Sequence, residues 1–284
     1  MTESLSGVVL GLPEDEYHAH PALSSTGARQ LLIAPAKFLF ARSAPRVHKK
    51  AFDVGTAAHS RVLGTGWEIV AIPDSVLAVN GAASTAKAKA FIEEARANGQ
   101  VPIKQAEFDE VTAMSEAVLA HPSARILLEQ DGAAEASVFG VDPETGVETR
   151  ARFDFLGRGS GRRVGVDLKT LHGEASPVKF AKTVADHGYH VQGAHYEDTL
   201  RFVGEHIDAF AFIAVEKEPP YLVGVFVLNE DYREIGAARA RRARHLFARG
   251  IQDGIWPGYP DEIQIARPPQ WAIYDHIDTE ALEK

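Results

Sequence analysis

Hydrophobic and polar positions along this chain follow two regimes that change near Ala134. Before that point the apolar positions recur at helical spacing. Leu31, Leu32 and Phe38 follow the cluster Ser24-Ser25-Thr26, whose hydroxyls suit a helix N-cap, and Pro35 predicts a break or kink. "FDVGTAAHSRVLG" predicts a second helix from Phe52, with Gly64 as its stop. "GAASTAKAKAFIEEARANGQ" is alanine-rich with Glu and Lys on one side, an amphipathic helix. "QAEFDEVTAMSEAVLAHPSARILLEQ" predicts one or two more helices, broken at His121-Pro122. After Ala134 the period shortens to two. "AEASVFGVD", "VETRARFDFLGR" and "RRVGVDLKT", separated by the turn signals "PETG" and "GRGSG", predict an antiparallel meander of three strands. A long helical stretch from Pro177 to Gly204 follows, then two β-rich runs around Glu218-Pro219-Pro220, a helix over Asp231 to Arg249, and an irregular tail.

No internal repeat or linker divides the chain, so this order predicts a single α/β domain over residues 1–284. Residues 1–130 form its mainly helical part, 131–250 its core and 251–284 an irregular C-terminal tail. The composition, 45% hydrophobic and 24% charged over 284 residues, is that of a soluble globular protein. There is no cysteine, which excludes disulfides, thiolate metal sites and iron–sulfur clusters and fits a cytoplasmic setting. "MTESLSGVVLGLPEDEYHAH" lacks the basic and apolar regions of a signal peptide, and no apolar run is long enough for a membrane span.

The formal net charge of −9 argues mildly against a nucleic-acid partner, but the charge is uneven. Arg150 to Arg163 holds five arginines and one acid, and Ala238 to Gly250 holds five arginines and no acid. The second run reads equally as a solvated helix face and as the wall of a positive channel.

Chemistry enters on the second and third strands of the meander. Arg150, Arg152, Asp154 and Leu156 share one parity, against Ala151, Phe153 and Phe155. Arg163, Gly165, Asp167 and Lys169 repeat the arrangement opposite Val164, Val166 and Leu168. Paired as a hairpin, the strands bring Asp154, Asp167 and Lys169 to one polar surface. Two close aspartates call for a positive charge between them, and Mg²⁺, which takes oxygen ligands, is the natural candidate. Lys169 would then orient or deprotonate a water, or offset charge in a transition state. The competing reading is a surface hairpin with ordinary ion pairs. On the following helix Gln192 and Tyr196 stand at i and i+4, on one face, while His190 and His195 read as structural.

An acid, then Asp-x-Lys on the next strand, then Gln-x-x-x-Tyr on a helix resembles the PD-(D/E)xK nuclease superfamily. "GTAAH" (Gly55 to His59) matches the Gly-x-x-x-His pattern of its RecB-like branch. The stretches "LSSTGARQLLIAPAKF", "FDVGTAAHSRVL", "EASVFG", "RARFDFLG", "GVDLKT", "GYHVQGAHYED" and "FIAVEKEPPYLVGVFVL" are similar to the nuclease domain of RecE-type (exonuclease VIII) enzymes and their phage relatives. The resemblance implies a restriction-endonuclease-like α/β (α+β) core, a central mixed sheet flanked by helices, with a helical N-terminal portion. It implies Asp154 and Asp167 as acidic metal ligands, His59 as the nitrogen ligand or metal-site neighbour, and the Leu168 carbonyl completing the shell. Lys169 would be the catalytic lysine, and Gln192 and Tyr196 would position the phosphate or flanking side chains. Glu135 matches a family glutamate, with an auxiliary acidic role or a structural one. Arg150, Arg152 and Arg163 would contact DNA, with pairing to Glu135 and Asp154 an equal competitor for the first two. Phe153 stands where the superfamily motif has proline, as is common in the RecB-like branch.

The activity so implied is Mg²⁺-dependent (Mn²⁺ as a substitute) 5′→3′ exonuclease digestion of linear double-stranded DNA ends to 5′-mononucleotides. A ring-shaped homo-oligomer, a tetramer favoured, and a single-strand annealing partner belong to the same implication, in phage-type recombination. A structure-specific or nicking endonuclease and a catalytically silent DNA-binding protein of this fold are the alternatives. No G-x-x-x-x-G-K-[ST] loop accompanies the pattern, so a nuclease without an attached motor is expected, and no G-x-G-x-x-G follows a strand.

Overall fold

A computed structural model describes residues 5–43, 54–65, 68–159 and 161–282. Strand β1 (Gly7–Val9) and helix α1 (Glu14–Ala19) precede α2 (Ser25–Ile33) and α3 (Pro35–Ser43). The Ser24 hydroxyl accepts the Gly27 N–H and starts α2, while Pro35 opens α3, where its missing N–H costs nothing. Helix α4 spans Val54–Leu63; Phe52 and Asp53, with which the sequence reading began it, lie outside the described residues. Then come β2 (Glu68–Ile72), α5 (Ala86–Ala97), β3 (Gln100–Lys104), α6 (Gln105–Ala120) and α7 (Pro122–Leu128). The break at His121 is a cap, its imidazole accepting the Ala124 N–H that opens α7.

The predicted meander is present as β4 (Gly132–Val141), β5 (Glu148–Gly157) and β6 (Val164–Leu171). Helices α8 (Pro177–His187) and α9 (Tyr189–Arg201) carry the chain to β7 (Ala209–Glu216), parallel to β6. Strand β8 (Val223–Val227) returns antiparallel, followed by α10 (Glu230–Asp253) and α11 (Gln270–Leu282). The result is one mixed six-stranded sheet in the order β1-β4-β5-β6-β7-β8, beside a small parallel pair, β2-β3. Residues up to 130 are mainly helical, with the short strands β1, β2 and β3 among the helices. One expectation needs correction, because the tail is not wholly irregular and contains α11.

Both faces of the sheet are covered. On one, Phe153, Phe180, Tyr196, Leu200, Phe210 and Phe212 pack between the sheet and helices α8 and α9. On the other, Val164, Val166, Leu168, Ala211, Ile213 and Val215 meet Ala58 of α4 and Val111, Met114 and Val118 of α6. Such two-sided burial explains why β7 reads "AFAFIAVE", apolar without alternation. Helix α10 lies against α2 and α9, where Ala28, Val191, Ala240 and Ala243 allow close approach.

The expected parity holds on β6 and fails on β5. Ala151 and Phe153 enter the α9-side core, as their alternation requires, yet Phe155 packs on the α4/α6 side. The switch falls at Asp154. Directly across on β4, Glu135 has a left-handed φ of +51° and the ladder skips it, pairing Ala134 with Phe155 and Ala136 with Phe153. A left-handed residue inside a strand redirects the chain, so the alternation is reset at this point.

Candidate active site

Strands β5 and β6 are paired only at Phe155–Val166 and Leu156–Gly165. The next pair along would be Asp154 and Asp167, and there the strands part. Asp154 fills the gap with its own side chain, its Oδ2 accepting the Leu168 N–H at 2.5 Å. Within an extended strand the N–H and C=O of one residue point the same way, so the Leu168 carbonyl faces the same gap.

Three other elements converge on that opening. From α4, His59 brings Nε2 to 2.7 Å from Asp154 Oδ2, with Nδ1 3.8 Å from Glu135 Oε1 on β4. These three residues can each offer a ligand atom within 4.8 Å of the others, a spacing suited to one shared cation. From β6, Lys169 Nζ lies 2.6 Å from Asp167 Oδ2. From α9, Gln192 Nε2 donates to Asp167 Oδ1 at 2.5 Å.

The electrostatics are those of a half-enclosed acidic cluster. Burial raises the Asp167 pKa, Lys169 pulls it back and Asp154 raises it again, leaving it above the ordinary carboxylate value. Glu135 is likewise pushed up, by burial and then by Asp154. Burial alone would lower His59, but the Asp154 carboxylate, with Glu135 and Asp167 behind it, lifts the imidazole to about 9. Lys169 follows the same logic, with Asp167 and Asp154 overcoming burial and keeping it an ammonium.

One imidazole nitrogen and two carboxylates, with a third carboxylate beside them, form a donor set that fits a hard divalent cation such as Mg²⁺ or Mn²⁺. The excess of negative charge points to the same class of ion, which would be held by His59 as the neutral imidazole.

The expected set and the observed grouping differ in detail. Glu135, weighed as auxiliary, stands within the tight trio, whereas Asp167 is held by Lys169 and Gln192. Of the two roles expected for Gln192, the contact present is the one to a flanking side chain, Asp167. Tyr196 is 8% exposed, edge-on to Phe153 and Phe210, and burial keeps its phenol proton well above the usual range.

The arginines also need correction. Arg150 is 7% exposed, donates to the carbonyls of Tyr17 and His20 and lies over the Tyr17 ring, so its placement gives DNA no access. Arg152 donates through Nε to Ser137 Oγ and also to the Leu12 carbonyl, with Glu135 at 3.8 Å. For this residue the competing pairing is the one present. Arg163 is partly exposed and bound to Glu205 at 2.8 Å, near the end of β6 remote from Lys169. His195, read as structural, is fully buried with Nε2 3.1 Å from the Arg150 carbonyl. His190 Nδ1 lies 3.2 Å from the Val184 carbonyl.

Tyr189 was not singled out by the sequence reading, yet its ring lies under Lys169, with Nζ 4.7 Å from the centroid. The signal was available, because Tyr189 precedes Gln192 by three positions and so shares its helix face.

Among solved structures similar to this chain is a candidate exonuclease from Eubacterium rectale. It superposes with a TM-score of 0.57 at 13% identity, covering 94% of this chain and 98% of that one. The likeness shows the fold. The protein SSO0001 aligns at a TM-score of 0.31 and 12% identity, over 71% of this chain and 86% of that one, too low to carry an argument. No curated protein matches the sequence significantly. A family model described as a PDDEXK-like domain of unknown function (DUF3799) matches residues 24–269. That span contains the opening between β5 and β6 and every side chain around it, and the chain belongs to this PDDEXK-like family.

Proposed function

We propose that this protein is a divalent-metal-dependent DNA exonuclease of the RecE type, digesting linear duplex ends 5′→3′ to 5′-mononucleotides. The observation that carries the reading is the parting of β5 and β6 at Asp154 and Asp167, with His59, Glu135 and Lys169 all brought to that opening. A bound Mg²⁺ or Mn²⁺ would polarise the scissile phosphate and acidify an attacking water. His59, Glu135 and Asp154 would hold the ion, with the Leu168 carbonyl and Asp167 at its margin. Lys169, an ammonium, donates a hydrogen bond and neutralises charge growing on a phosphate oxygen. Gln192 fixes Asp167, which in turn fixes Lys169. The resemblance to RecE-type enzymes supports the same polarity, a ring-shaped homo-oligomer, a single-strand annealing partner and a role in phage-type recombination.

The test is digestion of a linear duplex labelled separately at each 5′ and 3′ end, beside a covalently closed circle. It is run with Mg²⁺, with EDTA and with Lys169→Ala. Release of the 5′ label as mononucleotide, with the circle spared, no release in EDTA and a rate at least about a hundredfold lower for Lys169→Ala, is the expected result. A cut circle would assign the fold to an endonuclease. Absence of metal-dependent cleavage of either substrate would leave a DNA-binding protein and overturn the proposal.

A further inference from the structure

We propose that Tyr189 is a positioning residue that holds the Lys169 ammonium in place through the face of its ring. The inference deepens the nuclease reading and rests on it. A lysine side chain has four rotatable bonds, so an ammonium that must meet one phosphate oxygen needs more than one restraint. Here it has two: Asp167 Oδ2 at 2.6 Å and the Tyr189 ring at 4.7 Å. They differ in kind. The carboxylate occupies one of the three N–H donors and would also be drawn toward any cation seated beside Asp154. The ring attracts the whole charge without consuming a directional donor, leaving N–H groups free for phosphate.

The ring is itself fixed. It stacks on His187 (5.6 Å, 22°) and Phe212 (5.7 Å, 21°), with Phe180 at 6.3 Å beyond. Its backbone is set by the corner between α8 and α9, where Gly188 takes a left-handed φ of +67° and Arg29 Nη1 donates to the His187 carbonyl at 2.7 Å. Tyr189 opens α9, and Gln192 follows one turn later on the same face. One helix end therefore holds both members of the β6 pair, Asp167 through Gln192 and Lys169 through Tyr189.

The test measures kcat and KM on a linear duplex for Tyr189→Phe, Tyr189→Leu, and both Tyr189→Leu and wild-type residue 189 in a Lys169→Ala background. A ring contact of this kind predicts Phe within twofold of wild type, and Leu about tenfold lower in kcat with KM within twofold. With Lys169 absent, Leu at 189 changes the residual rate by less than twofold. Fluorinated phenylalanines at 189 keep the ring's shape while withdrawing charge from its face, so the rate falls stepwise with fluorine number. That series carries the test if the Leu variant does not fold.

A Leu variant as fast as wild type, a Phe variant as slow as Leu, or an equal loss without Lys169 overturns the proposal. If the wild-type chain leaves DNA uncut with both Mg²⁺ and Mn²⁺, the nuclease reading fails and this one falls with it. That outcome is distinct from an active wild type indifferent to residue 189.

Discussion

Arg244 and Arg241 stand one turn apart in the arginine-rich part of α10, and the structure assigns them opposite energetic weights. Arg244 is 5% exposed and bridges two acids, Nε to Asp142 at 2.7 Å and Nη1 to Asp198 at 2.9 Å. Asp142 lies at the turn after β4 and Asp198 on α9, so this one guanidinium ties α10 to the sheet and to the helix that carries Gln192. Replacing it with alanine leaves two carboxylates partly buried and short of a donor. Asp142 keeps the Thr145 hydroxyl and the Glu144 N–H, and Asp198 keeps Arg201. Those remaining bonds place the loss toward the lower half of the usual range for breaking a buried pair, about 3–4 kcal/mol. For a chain of this size that lowers the thermal midpoint by roughly 5–7 °C. Arg241 pairs with Glu144 at 2.5 Å, but with side chains 61% and 40% exposed water competes for both partners. Arg241→Ala leaves the midpoint unmoved within about 2 °C. The assay is calorimetric or circular-dichroism melting of both variants at low and high salt. The Arg244 effect persists at about 1 M salt, because a buried bridge is poorly screened. Arg244→Lys recovers only part of it, since a single ammonium does not reach two carboxylates in the fork geometry. Equal shifts for the two alanine variants, or an Arg244→Ala shift under 2 °C, would refute the reasoning.

Burial lowers His195 to about 4, so the unfolded chain takes up a proton below about pH 6.5 that the folded chain refuses. The corresponding stability, about 3 kcal/mol, is fully present above pH 6.5 and is lost as pH falls toward 4; urea midpoints across that range show a shallower slope for His195→Gln. His59→Ala removes the one nitrogen from the trio with Glu135 and Asp154 and weakens Mn²⁺ binding at least about tenfold in a titration followed by electron paramagnetic resonance. Gly188→Ala forces a Cβ into a left-handed residue and to within 2.9 Å of Arg29 Cδ, costing about 1–2 kcal/mol in chemical unfolding. Lys169→Ala lowers kcat by about two to four orders of magnitude, and urea unfolding run beside the assay separates that loss from the destabilisation expected when Asp167 is left buried without its ammonium.

Much of the fold was legible because the central strands state their period openly. "VETRARFDFLGR" and "RRVGVDLKT" alternate, the turns between β4, β5 and β6 carry Gly and Pro, and Ser24 and Pro35 mark helix ends by local chemistry. Strand β1 escaped because three residues carry no period, and β3 because Pro102 lies inside it. Helix α11 escaped because it follows Pro268-Pro269 and leaves Trp271, Ile273, Tyr274 and Ile277 exposed, without an apolar face packed on the core. The site was legible in its cast and less so in its geometry. Alternation sends Arg150 to a polar face and therefore outward, but α1 covers that face and Tyr17 lies under the guanidinium. Nothing adjacent to Asp154 announces that Glu135, across the sheet, has a left-handed backbone and resets the pattern. Those are facts of tertiary pairing, which a local period does not contain.

The bond from the Leu168 N–H to the Asp154 carboxylate has a bearing on how this family is to be read. Where two strands separate, one peptide N–H loses its ladder partner, and here a side chain stands in for the missing carbonyl. Asp154 is therefore a piece of the sheet as well as a member of the acidic cluster. A relative that has lost all activity would still be under pressure to keep an oxygen acceptor at this place, and asparagine satisfies that need while surrendering the charge. An acid retained at this position thus reports intact architecture, and competence to cleave is better judged at Lys169, whose ammonium replaces no bond of the sheet.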